Sequence, residues 1–211
     1  MAQSIRLPRL NRALWVAGFL ERGTETVMLL KARESDLPVI WEILQDAIAR
    51  RKAEGSDQWQ NGYPNEQTAR DDLAAGNAYV LVENDAVLAY AAIIFGNEPA
   101  YDAIDGRWLT DGKYAVVHRL ARSSRATNKG IATGLLKMAE DLCIREGVRS
   151  IRLDTNFDNT AMLRIVDALG YSYCGEIFFQ GAPRRAYEKV LFGLEHVPVA
   201  SGPRRTEAGP E

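Results

Sequence analysis

Residues 125–132 read Arg-Ala-Thr-Asn-Lys-Gly-Ile-Ala and run without a break into a helical stripe of Ile131, Leu135, Met138, Leu142 and Cys143. A glycine-bearing loop that opens a helix leaves its first backbone N–H groups unpaired beside the positive end of the helix dipole. That combination suits phosphate, so residues 127–133 are a candidate anion site. A single glycine loop is a weak motif on its own, and Gly130 would serve an ordinary turn equally well.

The surroundings organise around this loop. Upstream, residues 114–121 form an apolar, β-branched strand, and downstream residues 151–153 form a short strand. Two strands joined by a crossover helix pair in parallel. Nearer the start, residues 27–32 are a strand, and Ser35-Asp36 with Pro38 signal a helix whose stripe is Val39, Ile40, Ile43, Leu44, Ala47 and Ile48. A turn-rich loop holding Trp59, Gln60 and Tyr63 follows, and Asn65 caps a second helix that ends at Gly76. Residues 78–83 and 87–95 flank Asn84-Asp85, a hairpin signal. Asp158-Asn159 cap a last helix that stops at Gly170, and residues 173–179 and 186–192 close the chain as antiparallel strands around a loop at 180–183. No internal repeat is present.

Composition narrows the function. The chain has 211 residues and is 46% hydrophobic, enough for one substantial core. Its 26 basic and 28 acidic residues nearly cancel, which argues against a nucleic-acid partner. Cys143 and Cys174 stand far apart without metal-ligand spacing, which disfavours a disulfide scaffold or a metal site and fits a reducing cytoplasm. The apolar stretch at 13–20 is too short for a membrane span, which needs roughly 20 residues. Residues 1–27 read as an N-terminal extension, 28–197 as the folded domain and 198–211 as a disordered, Gly/Pro-rich tail.

The order of strand, two helices, hairpin, strand, phosphate-type loop, helix, strand, helix and hairpin resembles the GNAT superfamily of N-acetyltransferases. The resemblance is most specific at Leu120-Ala121-Arg122, at Thr127-Asn128-Lys129-Gly130-Ile131-Ala132, and at Asp158-Asn159 through Leu169-Gly170-Tyr171. It implies an α/β (α+β) fold with a mixed sheet of about six to seven strands, flanked by about four helices and splayed at an acetyl-CoA cleft. The family's loop begins with Gln or Arg, and Thr127 departs from that, whereas Gly130 and Ala132 match. The resemblance assigns acetyl-CoA contacts to Leu120, Ala121, Arg122, the loop residues Thr127, Asn128, Lys129, Gly130, Ile131, Ala132 and Thr133, and Asn159. It implies direct acetyl transfer with no metal and no covalent intermediate, so the cysteines need not be nucleophiles.

A general acid and a base must then be found. Many members carry a Tyr in the helix after the Asn where this chain has Val166, which leaves water, Tyr171 or Tyr173 to protonate the thiolate. Residues 116–121 offer His118 as the near-neutral proton acceptor, unless it is merely a hydrogen-bonded strand residue. Trp59, Gln60 and Tyr63 lie where the family lines its acceptor pocket, or else form a lid on the core. The acidic connection with Glu98, Asp102, Asp105 and Asp111 points to a cationic acceptor. The expected activity is acetyl transfer to the primary amine of a small molecule. The alternatives are a non-enzymatic acyl-CoA sensor and a protein or aminoacyl-tRNA acetyltransferase. A homodimer is compatible with these expectations.

Overall fold

The computed structural model describes residues 16–22, 25–127 and 129–191. Among these described residues nine strands form one sheet: β1 (Val16–Arg22), β2 (Glu25–Lys31), β3 (Ala78–Glu83), β4 (Ala86–Phe95), β5 (Asp105–Gly106), β6 (Ala115–Arg122), β7 (Ser150–Thr155), β8 (Ser172–Phe179) and β9 (Ala182–Val190), in the order β1-β2-β3-β4-β6-β7-β9-β8-β5. The helices are α1 (Leu37–Ala53), α2 (Glu66–Ala74), α3 (Ile131–Arg145) and α4 (Thr160–Ala168). The mixed α/β layout and the four helices are as expected. The strand count exceeds the expected six to seven because β1 and the two-residue β5 join the sheet edges. β1 lies inside the segment expected to be an extension, and it pairs antiparallel with β2. The expected tail at 198–211 lies outside the described residues.

Turn chemistry sets the hairpins. Asn84 and Asp85 both take positive φ (48° and 64°), the conformation a two-residue turn between Glu83 and Ala86 requires. Gln180 and Gly181 do the same (50° and 79°), so β9 starts at Ala182 instead of 186. Pro183 is tolerated there because β7 pairs with β9 only up to Arg185, so no β7 carbonyl needs its missing N–H. At the far edge Gly106 faces Gly175, and a Cβ on either would come within 2.2 Å of the opposite backbone.

Period-two alternation assigns the faces. Leu29, Leu81, Ile93, Val117, Ile151 and Leu153 meet α3 through Leu135 and Leu136, with α4 residues such as Val166, in one core. Leu30, Val80, Val82 and Tyr90 meet α1 through Ile40, Ile43 and Leu44 on the opposite face. On that second face the β6–β9 half is covered by the 97–113 connection, where Tyr101 packs with Tyr114, Val116, Ile177 and Ala186. Glu188, fully buried, fixes this connection by accepting from Leu109 N (2.5 Å) and Thr110 Oγ1 (2.6 Å) and by pairing with Arg152.

β6 and β7 are the parallel pair, and they are matched only at Ala115↔Ile151 and Val116↔Arg152. Beyond Val116 the two strands part, and the backbone of β6 on that side has no strand partner. The sheet is therefore splayed at the middle of the molecule.

Candidate active site

The splay is reinforced by a bulge. Tyr90 is opposite Ala121 and Ala92 is opposite His118, so Arg119 and Leu120 together face the single residue Ala91. Arg119 takes a positive φ of 55° there, a conformation that needs support in a residue with a side chain. The support is a buried network. Arg119 donates to Asp72 from Nε (2.8 Å) and Nη2 (2.6 Å), and from Nη1 to the Tyr63 hydroxyl, while the Tyr90 hydroxyl donates to Asp72. The bulge thus fixes Tyr63 as well as the strand end.

Two adjoining cavities open at the splay. The larger runs between the ends of α1 and β6 and the start of α4, and is lined by Arg50, Arg51, Ala121, Arg122, Ala132 and Ile165 among others. The smaller reaches inward to Tyr63, His118, Asp154, Thr155, Phe179 and Arg184. Gln58, Trp59, Leu120, Asn159 and Met162 border both. A ligand in one cavity therefore touches the same walls as a ligand in the other.

The larger cleft fits coenzyme A. Gly130 caps α3 with φ 78°, and the first helical bond recorded there runs from Gly134 N to Gly130 O (2.8 Å). The amides of Ile131, Ala132 and Thr133 precede it, unpaired within the helix, as a pyrophosphate site requires. Arg50 and Arg122 supply positive charge along the same cleft, whereas Arg51 is paired with Glu54 and Asp158. Burial, with repulsion from Arg122, lowers the pKa of Arg50, and an anion between the two would relieve that repulsion. Arg122 also donates from Nη1 to Ala126 O (3.0 Å), holding the loop against the end of β6.

The expected cofactor residues divide into groups. Leu120, Ala121, Arg122, Ala132 and Asn159 line the cleft. Thr127 and Lys129 are exposed on the loop, Thr133 is half-buried in the first turn of α3, and the Ile131 side chain faces the core, which leaves its amide as the usable group. Asn128 lies outside the described residues. Asn159 caps α4 by accepting from Met162 N (3.2 Å) and donates to Gln58 Oε1 (3.1 Å), which joins the α4 start to the loop after α1.

The inner cavity holds the titratable groups. His118 is 6% exposed. Its Nε2 meets Glu98 Oε2 at 2.9 Å, and its Nδ1 lies 3.7 Å from Asp154 Oδ1, too far for a hydrogen bond. The bond with His118 is the chief reason the Glu98 carboxyl is held below its usual range. Ionised, Glu98 can only accept, so neutral His118 presents Nε2–H to it and keeps a lone pair on Nδ1. Phe179 stacks on the imidazole, with centroids 5.4 Å apart and planes 18° from parallel.

Three expected residues are placed elsewhere. Tyr171 is buried against α3 near Glu140, where burial pushes its phenol well up, and it reaches neither cavity. Tyr173 is 54% exposed on β8 and packs edge-on to Tyr187, also away from both. Gln60 turns its amide onto Ile48 O (3.1 Å) and Gln58 O (3.0 Å), so it braces the loop while Trp59 and Tyr63 line the cavities. Cys143 is buried in the core, which pushes its thiol up to about 12. Cys174 is also buried, with its thiol pushed up.

Asp154 and Arg184 are not among the site residues expected from the sequence, and Glu98 is expected there only as part of the acidic connection, not as the partner of His118. A signal existed: in β7, Arg152 and Asp154 share one face and Ile151 and Leu153 the other, so a charged pair had to enter the interior.

Comparison with known proteins agrees with this geometry. Residues 40–171 match the model of the acetyltransferase (GNAT) family. A GNAT-family acetyltransferase structure from Streptococcus agalactiae is 36% identical, covers 78% of this chain and 95% of its own, and superposes with a TM-score of 0.71. At the level of fold alone, yncA from Salmonella typhimurium, solved with its cofactor acetyl-CoA, is 16% identical over 83% of this chain and 99% of its own, with a TM-score of 0.57. So is the ribosomal-protein-alanine N-acetyltransferase of Brucella melitensis, 18% identical over 77% of this chain and 99% of its own, with a TM-score of 0.57. Among curated proteins, none matches the sequence significantly. The chain belongs to the GNAT family of acetyltransferases, and its co-substrate is acetyl-CoA. Among the described residues no helix is long and apolar enough to cross a membrane, and no cluster of three or more His, Cys, Asp or Glu could hold a metal ion.

Proposed function

We propose that the protein acetylates the primary amine of a small molecule by direct transfer, with His118 as the general base. The observation that carries this reading is the position of His118, in the inner cavity and next to the walls shared with the coenzyme A cleft. Acetyl-CoA supplies an acyl group activated as a thioester. The chain's residues hold the arm along Leu120 and Asn159 and admit the amine past Trp59 and Tyr63. A primary amine resembling Lys arrives mostly protonated, since its pKa is about 10, and only the neutral form attacks. His118 Nδ1 accepts the proton, and the resulting imidazolium lies between the Glu98 and Asp154 carboxylates, which stabilise it. The thiol of coenzyme A, with a pKa near 8.5, leaves without an obligate acid. The burial of Cys143 and Cys174 away from both cavities favours transfer without an acyl-cysteine.

The confined inner cavity favours a small acceptor over a protein or aminoacyl-tRNA, and the near-neutral net charge of −2 speaks against RNA. Two free cysteines fit a cytoplasmic setting. Thiol release from acetyl-CoA over a panel of small amines and N-terminal peptides tests the reading. Small amines turning over faster than peptides is the expected result, and turnover confined to peptides would overturn it.

A further inference from the structure

We propose that the acceptor carries a carboxylate close to its amino group, as α- and β-amino acids do, and that Arg184 binds that carboxylate in the inner cavity. This rests on the acetyl-transfer reading above and names its substrate class.

Arg184 stands on β9 with its side chain 8% exposed, and it lines the cavity beside His118, Asp154 and Thr155. Its charge is incompletely matched. Nη1 lies 3.4 Å from Asp154 Oδ2, well beyond the roughly 2.7–2.9 Å of a charge-assisted bond, and Nε has no hydrogen-bond partner. Asp154 is shared besides, because its Oδ1 accepts from the Tyr101 hydroxyl at 2.8 Å. Thr155, 1% exposed on the same wall, also has a hydroxyl without a partner. Buried donors without acceptors are uncommon in folded proteins. A ligand carboxylate brings two acceptor oxygens, and guanidinium is the side chain whose planar fork matches them.

The spacing sets the class more narrowly. His118 and Arg184 approach the two oxygens of one carboxylate, Asp154, and both pack on one ring, Phe179, the guanidinium at 5.1 Å from its centroid. An acceptor that meets both residues therefore needs its amine and carboxylate close together. A diamine or polyamine of similar length would instead bring its second ammonium against Arg184, a like charge.

The test compares L-alanine and β-alanine with their amides and with ethylamine, by thiol release from acetyl-CoA and by isothermal titration into the coenzyme A-loaded protein. The amino acids should lead in kcat/KM by roughly tenfold to a hundredfold, the worth of a hydrogen-bonded charge pair. Arg184→Gln should erase that lead with acetyl-CoA affinity unchanged. Arg184→Lys, which keeps the charge and loses the fork, should reduce it and serves if the glutamine variant does not fold. Equal or faster turnover of the amides and ethylamine would overturn the inference and leave acetyl transfer standing, as would a lead that survives in a folded Arg184→Gln protein. Arg184-dependent binding of amino acids without thiol release from any amine would uphold the carboxylate site and overturn the transfer reading. An absence of amino-acid binding by the wild type would overturn the inference outright.

Discussion

The two cavities meet at a common wall and are built from different materials. The cleft proposed for coenzyme A is made of main chain and small side chains: the unpaired amides at the start of α3, the edge of β6 beyond Val116, and Ala121, Ala132 and Ala161, with arginines along it. The inner cavity is lined by charged or titratable side chains held in pairs: His118 backed by Glu98, Arg184 beside Asp154, and Arg119 backed by Asp72. Main-chain sites tolerate many side chains, provided the backbone keeps its path. Side-chain sites fail when a single member changes, since its buried partner is then left uncompensated.

The contrast is broken most severely at Gly130. Asp tolerates the left-handed conformation better than most residues, so Gly130→Asp should fold while setting a carboxylate against the pyrophosphate. Loss of measurable coenzyme A binding by titration is expected, and unchanged affinity would remove the loop from the site. In the inner cavity, His118→Ala should lower turnover by about 10²–10⁴-fold and leave coenzyme A affinity nearly unchanged. The deficit should shrink as pH rises, because more of the amine is already neutral; a rate equal to the wild type at every pH would leave water as the base.

Asp72→Asn tests the bulge. With a carboxylate gone from beneath the buried Arg119, thermal or urea unfolding should reveal a loss of about 3–5 kcal/mol, as expected for breaking a buried pair. A change below about 1 kcal/mol would show that Arg119 reaches other partners. Glu98→Gln gives the smallest effect. The folded pKa of Glu98 is depressed, so its contribution to stability is present at neutral pH and is lost as pH falls through that folded value. Acid unfolding of Glu98→Gln should therefore be less steep in pH than that of the wild type. An identical acid profile would detach Glu98 from the histidine.

How much of this could be read in advance follows the same division. The Gly130 loop, the Asn159 cap and the Asn84-Asp85 turn are local arrangements, each decided by a few adjacent residues, and all three are where the sequence indicated. His118 was visible because it is titratable in an apolar strand. Its pairing was not, because Glu98, Asp154 and Arg184 come from a connection and two other strands and meet only once the sheet has formed. Tyr171 and Tyr173 follow the α4 stop at Gly170, close in sequence to the expected acid position, yet Tyr171 is buried against α3 and Tyr173 faces outward on β8. β5 escaped notice because two residues carry no periodicity, and its pairing depends on glycine facing glycine.

β1 has a consequence for how the protein behaves in crowded solution. It occupies the outer edge of β2 with a hydrogen-bonded register from Val16↔Leu30 to Arg22↔Glu25. Cut away, it would leave a seven-residue row of backbone donors and acceptors open to any extended chain. β1 is itself a border strand, but its register shifts between Val16 and Gly18, an irregularity that makes it a poorer template for a further strand than the regular β2. Trimming β1 trades a shorter chain for one that associates through its bare sheet border as concentration rises.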